Sequence, residues 1–404
     1  MSKEVVIVSA VRTPIGRRGG GLAGMHSVDL LASVQRECVE RAGVDPGTIG
    51  QVIGGCVSSV GEQAVNITRT AWIATGFPME IGATTVDAQC GSSQQAVNLG
   101  AAMIAAGTLD SVMACGVESM SRVPLGSNMR GPGKRITESY LKHYEDTSQF
   151  QGAELIARRW GIDRADADQL GLRSQQLASE AWANGWFDAE VVPVKAPTLV
   201  DLPKTDPLHR KFAEREGTGE FHEVAKDEGL RSTTADALGS LQPVMKDGIH
   251  TAGSASQISD GAAAVLLMSA ERAAAEGLTV LARVTGQCLV GSDPELMLTG
   301  PIEATKKVLK SRGGTMHDFD TVEINEAFAS VVLAWRREFE LDDQAFAKVN
   351  PAGGAIALGH PVGSTGARLV TTAVHTLRRR GGGLGLITMC CGGGLGTGTV
   401  IEVG

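Results

Sequence analysis

Thr84-Thr85-Val86-Asp87-Ala88-Gln89-Cys90-Gly91-Ser92-Ser93-Gln94-Gln95-Ala96-Val97 reads as a strand, a glycine-bearing turn and the opening of a helix. β-branched residues fill the strand, Thr84 to Ala88, and helical spacing runs from Ser92 to Ala106. Working outward, strands are expected at Val5 to Ala10, Gln51 to Val57 and Ser111 to Cys115, with helices at Val28 to Ala42 and Asn66 to Thr75. Such βα alternation predicts a mainly parallel, buried sheet.

From about Leu278 the same order returns. Strands are expected at Val280 to Thr285, Thr321 to Ile324, Lys348 to Val349, Leu384 to Met389 and Thr399 to Val403. Helices are expected at Pro301 to Ser311, Ala327 to Phe339 and Thr365 to Arg379. Overlaying the halves sets the Cys90 turn against the segment carrying His360. The overlay leaves the first half short of its last strand until Gly261 to Met268, so residues 119 to 250 read as an insertion. Its Pro, Gly and charge content, with helix patterns only at Gly152 to Trp160 and Ala165 to Asn184, suits a loop domain capping a site. The expected organisation is a domain of residues 1–270, carrying that insertion, and a domain of residues 271–404. A chain of 404 residues exceeds what one core usually serves, which agrees with two units.

Three glycine-rich turns carry reactive side chains: the one around Cys90, Gly359-His360-Pro361-Val362-Gly363, and Met389-Cys390-Cys391-Gly392-Gly393-Gly394. A cysteine ahead of a helix suits a nucleophile, because the helix dipole and free amides favour thiolate. His360, framed by five glycines between Asn350 and Gly366, suits a base in a loop shaped over a ligand. Acyl transfer needs only a thiolate and a base, whereas making or cutting a bond beside a carbonyl needs a further proton shuttle. The second thiol therefore points to carbon–carbon chemistry on a thioester. Its spacing from the triple glycine favours Cys390 over Cys391 for that task, and the glycines let backbone amides approach a developing oxyanion.

Composition narrows the partners. The formal charge of −8 argues against a nucleic-acid partner and against anionic membranes. The longest apolar run, Ala262 to Met268, is too short to span a bilayer, and Met1 to Glu4 followed directly by Val5 to Val8 is not a signal peptide, so a cytoplasmic location is expected. Seven cysteines, spread singly except for Cys390-Cys391 and with no pair of close spacings suited to zinc, speak against a zinc site and against a disulfide framework. Cys38, Cys56, Cys115 and Cys288 read as small buried hydrophobes.

These segments, together with Asn325-Glu326-Ala327-Phe328, Ser9 to Gly16 and Ala252 to Gly261, resemble the signature regions of the thiolase family over essentially the whole chain. The resemblance implies an α/β fold of two βαβαβαββ halves packed as an αβαβα layered sandwich. It implies that Cys90 carries an acyl group, that His360 activates Cys90 and then the thiol of CoA, and that Cys390 moves the proton at the α-carbon. Asn325 resembles the residue holding a water that, with His360, stabilises an enolate oxygen. The amides of Cys90 and Gly392 resemble a second oxyanion hole. Ser256 resembles a serine that meets the pantetheine arm of CoA, and Arg231 a partner of CoA phosphates. CoA would be a co-substrate, with no permanently bound cofactor and no metal, and the assembly a homodimer or homotetramer. The bacterial degradative members, including those acting on steroid-derived esters, are the nearest in pattern.

One departure stands out: the family usually places glycine where this chain has Ser93, which puts packing beneath that helix in question. A rival is a decarboxylating ketoacyl synthase of similar fold, which uses histidines where this chain has Cys390 and Asn325. Another is a catalytically silent acyl-CoA or lipid binder, against which the intact Cys90, His360 and Cys390 set speaks. Gly19 to Gly24 formally satisfies a dinucleotide fingerprint, but Arg12-Thr13-Pro14 separates it from the strand that the fingerprint must follow directly.

Overall fold

In the computed structural model, which describes residues 2–404, the first half contains β1 (Val5–Arg12), α1 (Ser27–Ala42), β2 (Gln51–Gly55), α2 (Ile67–Ala74), β3 (Ala83–Val86), α3 (Ser92–Ala105) and β4 (Ser111–Ser119). A long excursion follows, with α4 (Gln149–Arg159), α5 (Arg164–Ala183) and a two-stranded ribbon of Val194–Leu199 and Gly217–Val224. It returns in β5 (Ser259–Ser269). The second half contains β6 (Ala282–Gly291), α6 (Gly300–Arg312), β7 (Thr321–Ile324), α7 (Ala329–Glu338), α8 (Thr365–Arg380), β8 (Gly383–Cys391) and β9 (Leu395–Val403).

The strands are not mainly parallel as expected. Their order is β7-β8-β9-β6-β1-β5-β4-β2-β3, and only β2/β3, β2/β4 and β7/β8 pair in parallel. β5 lies antiparallel between β1 and β4, as β9 does between β6 and β8. All eleven residues of β5 are buried, and a strand buried on both faces shows an unbroken apolar run whichever way it points. Hydrophobic pattern reports burial and is silent on direction.

The two halves meet where β1 and β6 pair antiparallel, Val6 opposite Arg283 and Ile7 opposite Ala282. α3 and α8 pack against each other and touch strands of both halves, while α1 and α2 cover the outer face of the first and α6 and α7 that of the second. The five layers αβαβα follow. The central layer of α3 and α8 shares with the strands it covers an apolar core that includes Ile7, Val97, Val265, Val370 and Ile387. Each such side chain contributes about 1.5–3 kcal/mol on burial.

Two local departures have visible causes. The expected helix from Ala327 starts two residues late because Phe328 bridges Ala255, with Ser256 N donating to Ala327 O. The expected strand at Lys348 to Val349 shrinks to one bridge, Val349 with Val322, because Asn350 turns to φ 45°. The Asn350 side chain then continues the ladder itself, accepting from Ile324 N at 2.8 Å and donating to Ile324 O at 2.9 Å.

The glycines of the rejected fingerprint serve packing. A Cβ on Gly24 would stand 2.0 Å from Pro197 O, and one on Gly20 equally close to the Glu228 carboxylate. The loop after β1 thus lies flush against the ribbon and the segment that follows it.

Candidate active site

Cys90 stands between β3 and α3 in a turn held by its neighbours. Gln89 is forced to φ 52°, its N–H bonded to the Asp87 carboxylate at 2.7 Å, while Ser92 Oγ accepts from Ala88 N at 3.0 Å and donates to Gln89 O. A non-glycine residue in left-handed backbone stores strain that the surroundings must hold. The sulfur is nearly buried, and burial pushes its thiol up to about 11. That corrects the expectation of a thiolate favoured by the helix start. Desolvation outweighs the backbone amides of Gly392 and of Cys90 itself, both of which stabilise negative charge on the sulfur. Glu118 adds to the upward shift.

His360 follows Gly359, whose φ is 110° and whose hypothetical Cβ would meet Ser259 Oγ at 2.3 Å, so only glycine fits. The His360 N–H is fixed by Gln257 O and Ser259 Oγ. Its ring is set from both sides. Asn325 Nδ2 donates to Nε2 at 3.3 Å, and Nδ1 lies 2.7 Å from Thr365 Oγ1, whose own proton is committed to Pro361 O at 2.9 Å. Nδ1 must then carry the hydrogen, leaving the Nε2 lone pair facing the site. Burial and then the nearby Arg368 charge lower the imidazole pKa to about 3, so the ring is neutral at physiological pH.

Asn325 ends β7, its N–H donating to Thr388 O of the parallel strand β8. Nδ2 lies between His360 Nε2 and Cys390 Sγ, the latter at 3.9 Å, while Oδ1 is buried without a protein partner. Such an orphan is satisfied in folded proteins by water or ligand. Cys390 and Cys391 are adjacent in β8 and therefore point to opposite faces. Cys390 faces Asn325, Ala327, Phe328 and Leu298. Cys391 sits under the Cys90 turn, close against Gly91 and Thr397. Burial raises both thiols, and the neighbouring Cys90 raises them further.

The structure brings Cys90, Gly392, His360, Asn325 and Cys390 to one place. Ser256 and Arg231 line an adjoining groove of about 460 Å³ instead, joined to the site through Gln257, whose carbonyl accepts from His360 N and whose Oε1 accepts from Arg231 at 3.1 Å. The other four cysteines are buried and free, as expected of small hydrophobes. Among the described residues no group of three or more His, Cys, Asp or Glu is arranged to hold a metal.

Sequence reasoning missed the residues that hold this arrangement. Glu118 accepts from Val57 N, Ser58 N, Gln63 Nε2 and Gly363 N, tying the loops of both halves together. Glu326 accepts from Ser174 Oγ of α5, Asn350 Nδ2 and Ile356 N. Thr365, which fixes the His360 tautomer, was legible only as a hydroxyl one turn beyond the histidine.

Family models describe the same plan. Residues 5–271 match the N-terminal domain of thiolase and residues 278–403 its C-terminal domain. The chain belongs to the thiolase family. It is thus an acyltransferase, and it is similar to a steroid 3-ketoacyl-CoA thiolase of Mycobacterium tuberculosis, 44% identical over 99% of this chain and 94% of that protein. It is also similar to a 3-ketoacyl-CoA thiolase of Bacillus subtilis, 39% identical over 99% of this chain and 100% of the relative. Among solved structures, the acetyl-CoA acetyltransferase of Bacillus anthracis superposes with a TM-score of 0.86 at 36% identity, covering 100% of this chain and 99% of that one. The human mitochondrial 3-ketoacyl-CoA thiolase gives 0.84 at 33% identity, covering 99% of both. No helix of the described residues is long and apolar enough to cross a membrane.

Ser93 departs from the usual family glycine without crowding its helix. Its hydroxyl accepts from Ala367 N at 2.9 Å, in the first turn of α8, where Ser364 provides no side-chain cap. Gly116, across from it, leaves room for the added Cβ.

Proposed function

We propose that this thiolase works in the degradative direction, cleaving a 3-oxoacyl-CoA with CoA into acetyl-CoA and a shortened acyl-CoA by a ping-pong route through acyl-Cys90. The observation that carries the reading is the placement of Asn325 Nδ2 between His360 Nε2 and Cys390 Sγ. One amide there borders both the base and the second acid.

In this reading Cys90 attacks the 3-oxo carbon while His360 Nε2 takes the thiol proton, which keeps charge off the buried sulfur until the carbonyl receives it. The oxyanion of the adduct is held by the N–H groups of Cys90 and Gly392. Collapse breaks the bond between carbons 2 and 3, and its electron pair becomes the enolate of acetyl-CoA. His360, now protonated, and the polar shell of Asn325 face that enolate oxygen, and Cys390 gives a proton to its carbon. The His360 proton then passes to the Cys390 sulfur and restores that thiol. CoA enters, neutral His360 Nε2 takes its thiol proton, the CoA sulfur takes the acyl group, and the departing Cys90 sulfur recovers the proton from His360.

CoA acts here as co-substrate, with Ser256 and Arg231 on its arm and phosphates, and residues 119–250 cap the channel. The name of the steroid thiolase relative, with the edge-to-face Phe150–Phe328 pair and Met297 beside Cys390's apolar neighbours, favours bulky or long acyl groups. A cytoplasmic homodimer or homotetramer is the matching assembly. Specificity constants for thiolysis of acetoacetyl-CoA, long-chain and polycyclic 3-oxoacyl-CoA test the reading. Larger substrates should be preferred, and a tenfold preference for acetoacetyl-CoA would make this an acetoacetyl-CoA thiolase.

A further inference from the structure

The groove beside the site carries more positive charge than the residues already discussed explain. Arg17, Arg18 and Arg231 all line it, and none of the three forms an ion pair among the described residues. Three unpaired guanidiniums around one cavity stand out in a chain whose formal charge is −8. Like charges so grouped repel unless an anion joins them.

The backbone shows that the group is built. Gly16 and Arg17 pair antiparallel with Asp260 and Ser259, which sets the arginine pair beside the strand end leading back to Gln257 and Ser256. The one carboxylate in the groove is used elsewhere. Glu228 accepts from Arg17 N at 3.0 Å and from Gly21 N at 3.0 and 3.1 Å, so its oxygens hold the loop and make no ion pair with the three guanidiniums, whose charge exceeds its own. The same residue is three positions before Arg231, and its own N–H donates to Ile15 O. Glu228 therefore clamps the Arg17–Arg18 turn to the segment that carries Arg231.

We propose that Arg17 and Arg18 form a binding site for the terminal phosphomonoester on the ribose of CoA, with Arg231 left for the pyrophosphate nearer Ser256. This rests on the thiolase reading above. A phosphomonoester carries about −1.5 to −2 charges at neutral pH and three strong acceptor oxygens, so it can engage two guanidinium forks together. The pyrophosphate sits closer to the pantetheine arm, and Arg231 is the member of the trio bonded to Gln257, next to Ser256.

The test compares CoA with dephospho-CoA, which lacks only that phosphate, by calorimetric titration into the intact protein at low salt. Wild type should bind CoA about tenfold or more tightly than dephospho-CoA. In Arg17→Ala/Arg18→Ala the two ligands should bind within about twofold of each other. Arg312→Ala, at the end of α6, should keep the wild-type ratio and so controls for loss of general charge. Circular dichroism and an unchanged melting temperature establish that the double variant is folded, and Arg17→Lys/Arg18→Lys should recover part of the discrimination. Equal binding of both ligands by wild type, or equal weakening of both in the double variant, would overturn the phosphate assignment and leave the thiolase reading standing. Failure of wild type to bind either ligand would remove CoA as the co-substrate in the function proposed above, and the assignment with it.

Discussion

Cys390 and Cys391 are adjacent, both are fully buried, and β-strand alternation sends them to opposite sides, so replacing each by alanine separates chemistry from packing. On the Cys390 side the polar neighbour is the Asn325 amide, which can orient a group but cannot give up a proton, and His360 Nε2 is bound to that same amide. The protonated His360 is engaged at the enolate oxygen, which leaves the thiol as the acid assigned to the enolate carbon. Removing a positioned acid costs about 10²- to 10⁴-fold in rate, or roughly 3–5 kcal/mol of transition-state stabilisation. Cys390→Ala should therefore lose thiolysis on that scale. Exchange of labelled CoA into acetyl-CoA forms no enolate and needs only Cys90, His360 and the two amides, so the variant should retain most of it. Cys391→Ala removes one buried sulfur packed on Gly91 and Thr397, a loss of about 1 kcal/mol in stability, and should leave the ratio of the two activities unchanged. Both activities are followed on the same folded preparations, thiolysis by disappearance of the 3-oxoacyl-CoA and exchange by label. If Cys390→Ala abolished exchange as fully as thiolysis, or if Cys391→Ala gave the selective loss, the assignment of the acid would be wrong.

Three further outcomes follow from the same geometry. With its thiol near 11, Cys90 in the free protein should be alkylated by iodoacetamide at a rate that climbs about tenfold per pH unit from 6 to 9, and a plateau near pH 7 would reveal a thiolate that burial should prevent. Ser93→Ala should destabilise the protein by about 1 kcal/mol, because it leaves the Ala367 N–H of the first turn of α8 without its acceptor; an unchanged denaturation midpoint would mean that the bond contributes nothing. Asp260, buried with one oxygen unpartnered, is pushed up to about 7 from an ordinary 3.8 by desolvation, so the folded state holds its proton while the unfolded chain releases it. Stability is then lost as pH rises from about 4 to 7, and Asp260→Asn should raise the melting temperature more at pH 8 than at pH 5, with an equal change at both refuting the shift.

The reactive turns were readable because their chemistry is local: a thiol or imidazole between glycines shows in a few residues. What held them in place was not. Glu118 gathers four donors from sequence positions as distant as Val57 and Gly363, and no short pattern marks a carboxylate whose partners are backbone amides of other segments. Strand direction was hidden for a related reason, since β5 reads the same forward and backward. Only the pairing of Ser119 with Asp260 shows that the chain leaves β4 and comes back beside it. The second half closes in the same way, Cys391 opposite Leu395, with Gly392 to Gly394 as the whole connection. The corresponding point of the duplicated plan thus carries a long excursion in one half and a three-glycine turn in the other. The turn has to be that short and that free of side chains for Gly392 N–H to reach the Cys90 sulfur, and Gly393 and Gly394 both take positive φ there, at 78° and 74°. The excursion, in contrast, supplies Glu228, which holds the arginine turn at the groove, and Ser174, which holds Glu326 beside Asn325. A repeated fold with identical connections would offer two equivalent half-sites, and the inequality of these two connections lets the two halves build one.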